Sequence, residues 1–289
     1  MRLTELRDLI QTTASRWSAD NVPRLAAAFS FYAVLSLAPV LVFAVVAAGY
    51  FLGHAGTEAS LLRQVQGAVG QGGREFVETL IKQADKPAAG AIASLFSILV
   101  TFFSASNLFL QLNEAVNAIW GIKTEGPFLK NLFLTRLAAF LGVVFFGLIV
   151  LGWVALDSWL QWLNRQMPGI PGWTYVSNLI TVVFLTLAFA GAFKALPKNT
   201  VEWKDTFVPA IATALGIAVA KFALSLYFGY AAVSQAYGSA GALVVILLWI
   251  YYTSQIFFFG IEMTYVYAHR HGSKTNEPMR TEPVPTLGT

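Results

Sequence analysis

Apolar positions in this chain gather into six long runs, at about 25–53, 88–110, 134–157, 173–196, 207–229 and 239–267. Each reaches the ~20 residues that a helix needs to span ~30 Å of hydrocarbon. Hydrocarbon offers a bare backbone no hydrogen-bond partner, so each run is predicted to be a helix that satisfies its own N–H and C=O groups. The runs are apolar on nearly every face, as at 95–100 and 142–151, whereas a soluble core helix is polar on one side. The pattern predicts an all-α polytopic membrane protein, with a bundle of six transmembrane helices over 25–267.

The segments outside the runs have patterns of their own. Residues 1–24 set Leu3, Leu6, Leu9, Ile10 and Trp17 among Arg and Asp, the pattern of a cytoplasmic amphipathic helix lying at the membrane surface. The apolar run that follows is too long for the core of a cleavable signal, so it is expected to remain as the first anchor. The outer loop at 54–87 predicts one or two short amphipathic helices, first on Leu61, Leu62, Val65 and Val69, then on Phe76, Val77, Leu80 and Ile81. The glycines at 70, 72 and 73 predict a break between them. This loop is either a cap packed over the bundle or a gate over a cavity. Residues 268–289 read as a cytoplasmic tail, proline-rich and disordered from about 275 onward.

Composition supports the membrane assignment. The chain has 289 residues, 56% hydrophobic and 12% charged, with mean hydropathy +0.62. Soluble domains carry about twice that share of charge. One membrane domain uses nearly all the residues and leaves no room for a soluble catalytic domain. With no cysteine, thiolate chemistry and Cys metal sites are excluded.

Charge placement sets an orientation. Thirteen Lys and Arg fall in the N-terminal segment, the 111–136 and 194–206 loops and the C-terminal tail; five fall on the opposite side. The bias of basic residues toward the cytoplasm predicts both termini inside. Trp153, Trp159, Trp162 and Trp173 bracket the second outer loop, where indoles favour the headgroup layer. Trp249 falls inside the sixth run and reads as a packing residue.

Ionisable groups within spans are costly and invite a functional question. Lys221 lies in the fifth run, ~13 Å below its outer end at 1.5 Å per residue. It either snorkels or pairs structurally, or it meets an anionic headgroup or substrate in a cavity. Asp157, at the outer end of the third run, could approach it. Glu262 comes near the inner end of the sixth run, where Arg136 or Lys194 is its expected partner. Asn107, Gln111 and Glu114 share one helical face by i, i+4, i+7 spacing, with Asn113 and Asn117 nearby. This polar stripe either joins helices or lines an inner vestibule. Pro39, inside the first run, frees a backbone carbonyl and predicts a kink.

An enzyme is not expected. The three histidines, His54, His269 and His271, form no HExxH or paired-His pattern, and no phosphate-binding glycine loop precedes a Lys-Ser or Lys-Thr. No metal or other cofactor is implied. Membrane lipids are the expected partners, nucleic acid is not, and a second copy of the chain or another envelope component is left open.

Several stretches together resemble the YihY/BrkB family of bacterial inner-membrane proteins. They are Asp20-Asn21, Ala27-Ala28-Phe29-Ser30-Phe31-Tyr32 and Leu35-Ser36-Leu37-Ala38-Pro39 at the start, then Ala115-Val116-Asn117-Ala118-Ile119-Trp120-Gly121. Leu196-Pro197-Lys198-Asn199 follows, and then Tyr237-Gly238-Ser239-Ala240-Gly241-Ala242, Leu248-Trp249-Ile250-Tyr251 and Gly260-Ile261-Glu262. The resemblance covers about 20–267. It implies six spans in the bacterial cytoplasmic membrane and carries over Pro39, Asn117, Trp120, Pro197, Gly238, Gly241, Trp249 and Glu262 as family positions without an established catalytic role. A ribonuclease label attached to some members finds no metal constellation for phosphodiester hydrolysis in this sequence. The leading expectation is transport or export of a lipid or other amphiphile in envelope homeostasis. A structural scaffold of the envelope is the alternative, and a membrane-bound ribonuclease comes last.

Overall fold

The structure is a computed structural model and describes residues 3–52, 54–84, 91–122, 132–166, 173–230 and 241–280. The described residues contain eight α-helices: α1 (Leu3–Ala19), α2 (Val22–Leu52), α3 (His54–Ala84), α4 (Ala91–Ile119), α5 (Leu132–Gln166), α6 (Trp173–Ala195), α7 (Trp203–Tyr230) and α8 (Gly241–Arg270). The described parts of the six apolar runs correspond to α2 and α4 to α8. The amphipathic N-terminal segment is α1.

The helices begin and end where local chemistry allows. After α1 the chain turns at Asn21, which sits in the left-handed region at φ 51. Asparagine tolerates that conformation better than most residues. The Asp20 N–H donates to the Arg16 carbonyl at 2.7 Å, and α2 follows at once. α4 ends in a Schellman turn: Gly121, at φ 71, donates to the Ala118 carbonyl at 2.9 Å, and Ile122 donates to the Asn117 carbonyl at 2.8 Å. At the start of α7 the Asp205 carboxylate accepts the Glu202 N–H at 3.3 Å, which caps the helix. Pro209 lies inside α7, and the Thr213 hydroxyl donates to its carbonyl at 2.9 Å.

α8 is the hub. It packs against α1, α2, α3, α4, α6 and α7. Phe258, Ile261, Met263 and Val266 on α8 are buried in the larger core with Leu9 of α1, Val116 and Ile119 of α4, and Phe193 of α6. Gly260 makes the crossing with α7 and α6 possible: a Cβ there would lie 2.1 Å from Thr213 Oγ1 and 2.6 Å from the Phe193 ring. Phe29 meets Phe258 edge-on at 5.8 Å, tying α2 to the same core.

The segment from His54 to Ala84 corrects the sequence expectation. The glycines at 70–73 do not break it; α3 is one continuous helix from His54 to Ala84. Its Leu61, Leu62, Val77 and Ile81 are buried with Val245 and Ile246 of α8, and Trp249 and Leu37 pack against that cluster. Each glycine costs a helix about 1 kcal/mol relative to alanine, a debt that burial of four large aliphatic side chains exceeds. Trp249 is a packing residue, as its place in the run suggested.

Large apolar side chains lie exposed in stripes at helical spacing. They include Phe207, Ile211, Leu215, Val219 and Phe222 on α7, Leu141, Phe145 and Leu148 on α5, and Leu179, Val183 and Leu187 on α6. A monomeric soluble protein rarely exposes a contiguous apolar surface of this extent. Among the described residues, Trp203–Leu224 and Leu243–Arg270 are long and apolar enough to cross a membrane; Val22–Leu37, Leu134–Ile149 and Leu179–Ala195 are shorter apolar helices.

Candidate functional site

Two features stand out at the end of α8 that carries Glu262. One is a buried charge cluster and the other an apolar groove.

The cluster is built from four parts of the chain. Arg16 of α1 donates from Nε to Glu262 Oε1 at 2.7 Å, and its Nη1 donates to the Arg280 carbonyl at 2.9 Å. Its guanidinium stacks 4.5 Å from the centre of the Tyr265 ring. Asp20 pairs with both Arg16, at 3.5 Å, and Arg280. Arg280 also donates to the Ala118 carbonyl at 2.8 Å, and its own N–H donates to the Tyr265 hydroxyl at 2.8 Å. Trp120 stands edge-on to Tyr265 at 5.3 Å. Glu262 and Asp20 are buried, and two cations balance two carboxylates. That balance is what makes such a cluster tolerable away from water.

This arrangement overturns two expectations. The partner of Glu262 is Arg16, not Arg136 or Lys194. Arg136 instead donates to Asn107 Oδ1 at 3.0 Å and lies over the Phe103 ring at 4.8 Å. Lys194 donates to the Val201 carbonyl at 3.1 Å and lies over Trp203 at 5.2 Å. The second correction concerns the tail. Residues 271–280 pack back onto the helices instead of standing free: Ser273 donates from N and Oγ to the Asp205 carboxylate, Lys274 is buried against Asn199 and Glu277, and Arg280 pairs with Asp20, while 281–289 lie outside the described residues. Gly272 permits the approach, because a Cβ there would fall 2.1 Å from Asp205 Oδ1.

The polar stripe of α4 divides by depth. Asn117 is wholly buried; its Oδ1 accepts the Lys198 N–H at 3.1 Å and its Nδ2 donates to the Asn113 carbonyl at 2.8 Å, so it fastens the α6–α7 turn to α4. Asn107 fastens α5 through Arg136. Gln111 and Glu114 are half-buried between them. Asn107 and Asn117 thus join helices. Pro39 lies within the span of α2, and Asp157 within α5, but their side chains lie outside the described residues, as does Gly238.

The groove has a volume of about 550 Å³. α7 contributes Ala212, Thr213, Gly216, Ala220, Ala223 and Leu224; α8 contributes Tyr252, Gln255, Ile256, Phe259 and Met263; Trp17 of α1 completes the wall. Small residues on α7 opposite large ones on α8 leave the space. Lys221 is exposed on α7 and is not among the lining residues. The cavity sought at Lys221 therefore lies on a neighbouring face of the same helix. Sequence reasoning missed Arg16, Arg280 and Tyr265 altogether, and it did not single out the groove.

Helices with broad apolar outer faces, locked at one end by a balanced charge cluster, define a helical membrane protein. The chain belongs to the Virulence factor BrkB family, whose profile matches residues 13–285. This confirms the resemblance carried by the motifs from Asp20 to Glu262. A UPF0761 membrane protein of Ralstonia nicotianae is 26% identical over 253 residues, covering 86% of this chain and 56% of that protein. Those of Nitrosospira multiformis and Neisseria meningitidis are each 24% identical, covering 84% and 81% of this chain and 57% of each relative. The chain thus spans little more than half the length of these curated relatives. No solved structure matches it.

Proposed function

We propose that the chain crosses the bacterial cytoplasmic membrane six times, through α2 and α4 to α8, with both termini in the cytoplasm. Its role is to move or export an amphiphile, without covalent chemistry. The observation that carries this reading is the groove between α7 and α8, an apolar space on two helices long enough to span a bilayer. The exposed stripes of α5, α6 and α7 support the crossing, and the thirteen-to-five partition of Lys and Arg supports the orientation. Lys221, exposed on a lipid-facing helix, suits a snorkelling side chain whose ammonium reaches the interface. α3, packed on α2 and α8, suits a cap.

The test is movement of a fluorescent phospholipid across proteoliposomes made with the purified protein. Acceleration over protein-free vesicles supports the reading; identical rates contradict it. An envelope scaffold is the second reading, favoured by the cluster of Arg16, Asp20, Glu262 and Arg280, which fastens four segments into one rigid end. A stable partner recovered by cross-linking, with no lipid movement, would select it.

A further inference from the structure

We infer that the groove between α7 and α8 holds one acyl chain of an anionic phospholipid from the cytoplasmic leaflet, with the headgroup at Arg270. This rests on the membrane orientation and amphiphile-handling role proposed above, and it names the ligand class of that site.

Length is the first reason. The α7 wall runs from Ala212 to Leu224, about 18 Å at 1.5 Å per residue. One leaflet of hydrocarbon is about 15 Å deep, half the core thickness. The groove is therefore about as long as one acyl chain and shorter than the ~30 Å hydrocarbon core.

The lining is the second reason. Most of its wall is aliphatic or aromatic carbon; the side chains that carry polar atoms are Trp17, Thr213, Tyr252 and Gln255, and the Thr213 hydroxyl already donates to the Pro209 carbonyl. A peptide backbone or a sugar has more polar groups than these side chains can pair, and each one left over costs several kcal/mol. An alkyl chain has none to leave. Ala212 and Ala223 are themselves exposed, so the groove opens sideways to the surroundings that α7 meets with Val219 and Phe222. In a bilayer those surroundings are acyl chains.

Charge at one end is the third reason. Met263 and Trp17 mark the end of the groove toward the charge cluster. Arg270 follows Met263 by seven residues, two turns along the same face of α8. It is exposed and makes no ion pair among the described residues. An indole at the mouth and a cation about 10 Å beyond it are placed as a headgroup layer requires. The nearby arginines, Arg16 and Arg280, are already neutralised by Glu262 and Asp20, which leaves Arg270 to meet the phosphate.

The experiment uses the full chain in nanodiscs of mixed anionic and zwitterionic phospholipid, with a photoactivatable group on the acyl chain. Labelling is expected to concentrate on 212–224 and 252–263. Ala220→Phe, which fills the groove, should remove that labelling. Arg270→Gln, an exposed substitution that leaves the helix packing intact, should keep it while lowering the preference for the anionic lipid about fivefold, the effect of one basic residue at an anionic surface. Labelling spread equally over the exposed faces of α5 and α6 would overturn the inference. So would groove residues that cross-link to a second copy of the chain, or an unchanged lipid preference in Arg270→Gln. Groove labelling without lipid movement in proteoliposomes would retain the bound lipid and remove the transport reading. Movement without groove labelling would do the reverse.

Discussion

Arg16 and Glu262 lie 246 positions apart in the chain and meet in a 2.7 Å ion pair, with the glutamate wholly buried. The pair docks the surface helix α1 onto α8. It also explains why an N-terminal segment with exposed Leu6 and Ile10 still has Leu9 and Thr13 fully buried. One flank of α1 faces the protein, and the adjoining flank, with Leu6 and Ile10, is exposed.

Removing one partner strands the other. Arg16→Ala is expected to destabilise the folded protein by about 3–5 kcal/mol, because a buried carboxylate loses its counter-charge. Glu262→Gln should cost less, since the amide oxygen can still accept from Arg16. Unfolding in detergent micelles checks both, and the double substitution should cost less than the sum of the single ones.

Gly121 and Arg280 form a second coupled pair. A Cβ on Gly121 would sit 3.0 Å from Arg280 Cδ, at a backbone φ of 71 that disfavours any side chain. Gly121→Ala is expected to cost about 1–2 kcal/mol from the left-handed conformation alone. The crowding adds to this, so Arg280→Ala should relieve part of the loss. Hydrogen exchange on α1 offers a second measure: Arg280→Ala should speed exchange near Asp20 while leaving α6 unaffected.

The helix crossing at Gly260 is less forgiving. Gly260→Ala drives a methyl into Thr213 and Phe193, overpacking expected to cost about 1–3 kcal/mol or more. Gly147→Ala, where nothing lies within 4 Å of the new methyl, should be neutral or stabilising by about 0.5–1 kcal/mol. Thermal unfolding of the two variants side by side separates crowding from any general intolerance of alanine.

Lys221→Ala tests the residue that looked most functional in the sequence. Its side chain is exposed and does not line the groove between α7 and α8, so stability should change by no more than about 0.5 kcal/mol. A large loss of stability would show a buried role that the exposed position does not provide.

What could be read from sequence follows the range of the interaction that decides it. The helices were legible because bilayer-length apolar runs of residues such as Leu141, Phe145 and Leu148 permit little else. α3 was misread because glycine signals a break locally, while the burial of Leu61, Leu62, Val77 and Ile81 against α8 is a tertiary effect. The partner of Glu262 was misassigned for the same reason. Depth along a helix placed it in a layer with Arg136 and Lys194, but nothing local showed that α1 folds back to bring Arg16 into that layer. The 271–280 segment has the composition of a free tail, yet Ser273 finds the Asp205 cap and Arg280 finds Asp20. The groove depends on which small residues of α7 face which large residues of α8, a relationship that helical spacing on either helix alone does not contain.

The proposed six crossings and their orientation are tested most directly by single cysteines introduced into this cysteine-free chain. In intact cells, an impermeant maleimide should label Gln71→Cys on α3. It should label Gln11→Cys, Glu202→Cys and Glu277→Cys only after the inner membrane is opened. Labelling of the last three from outside, or of all four alike in intact cells, would contradict the account.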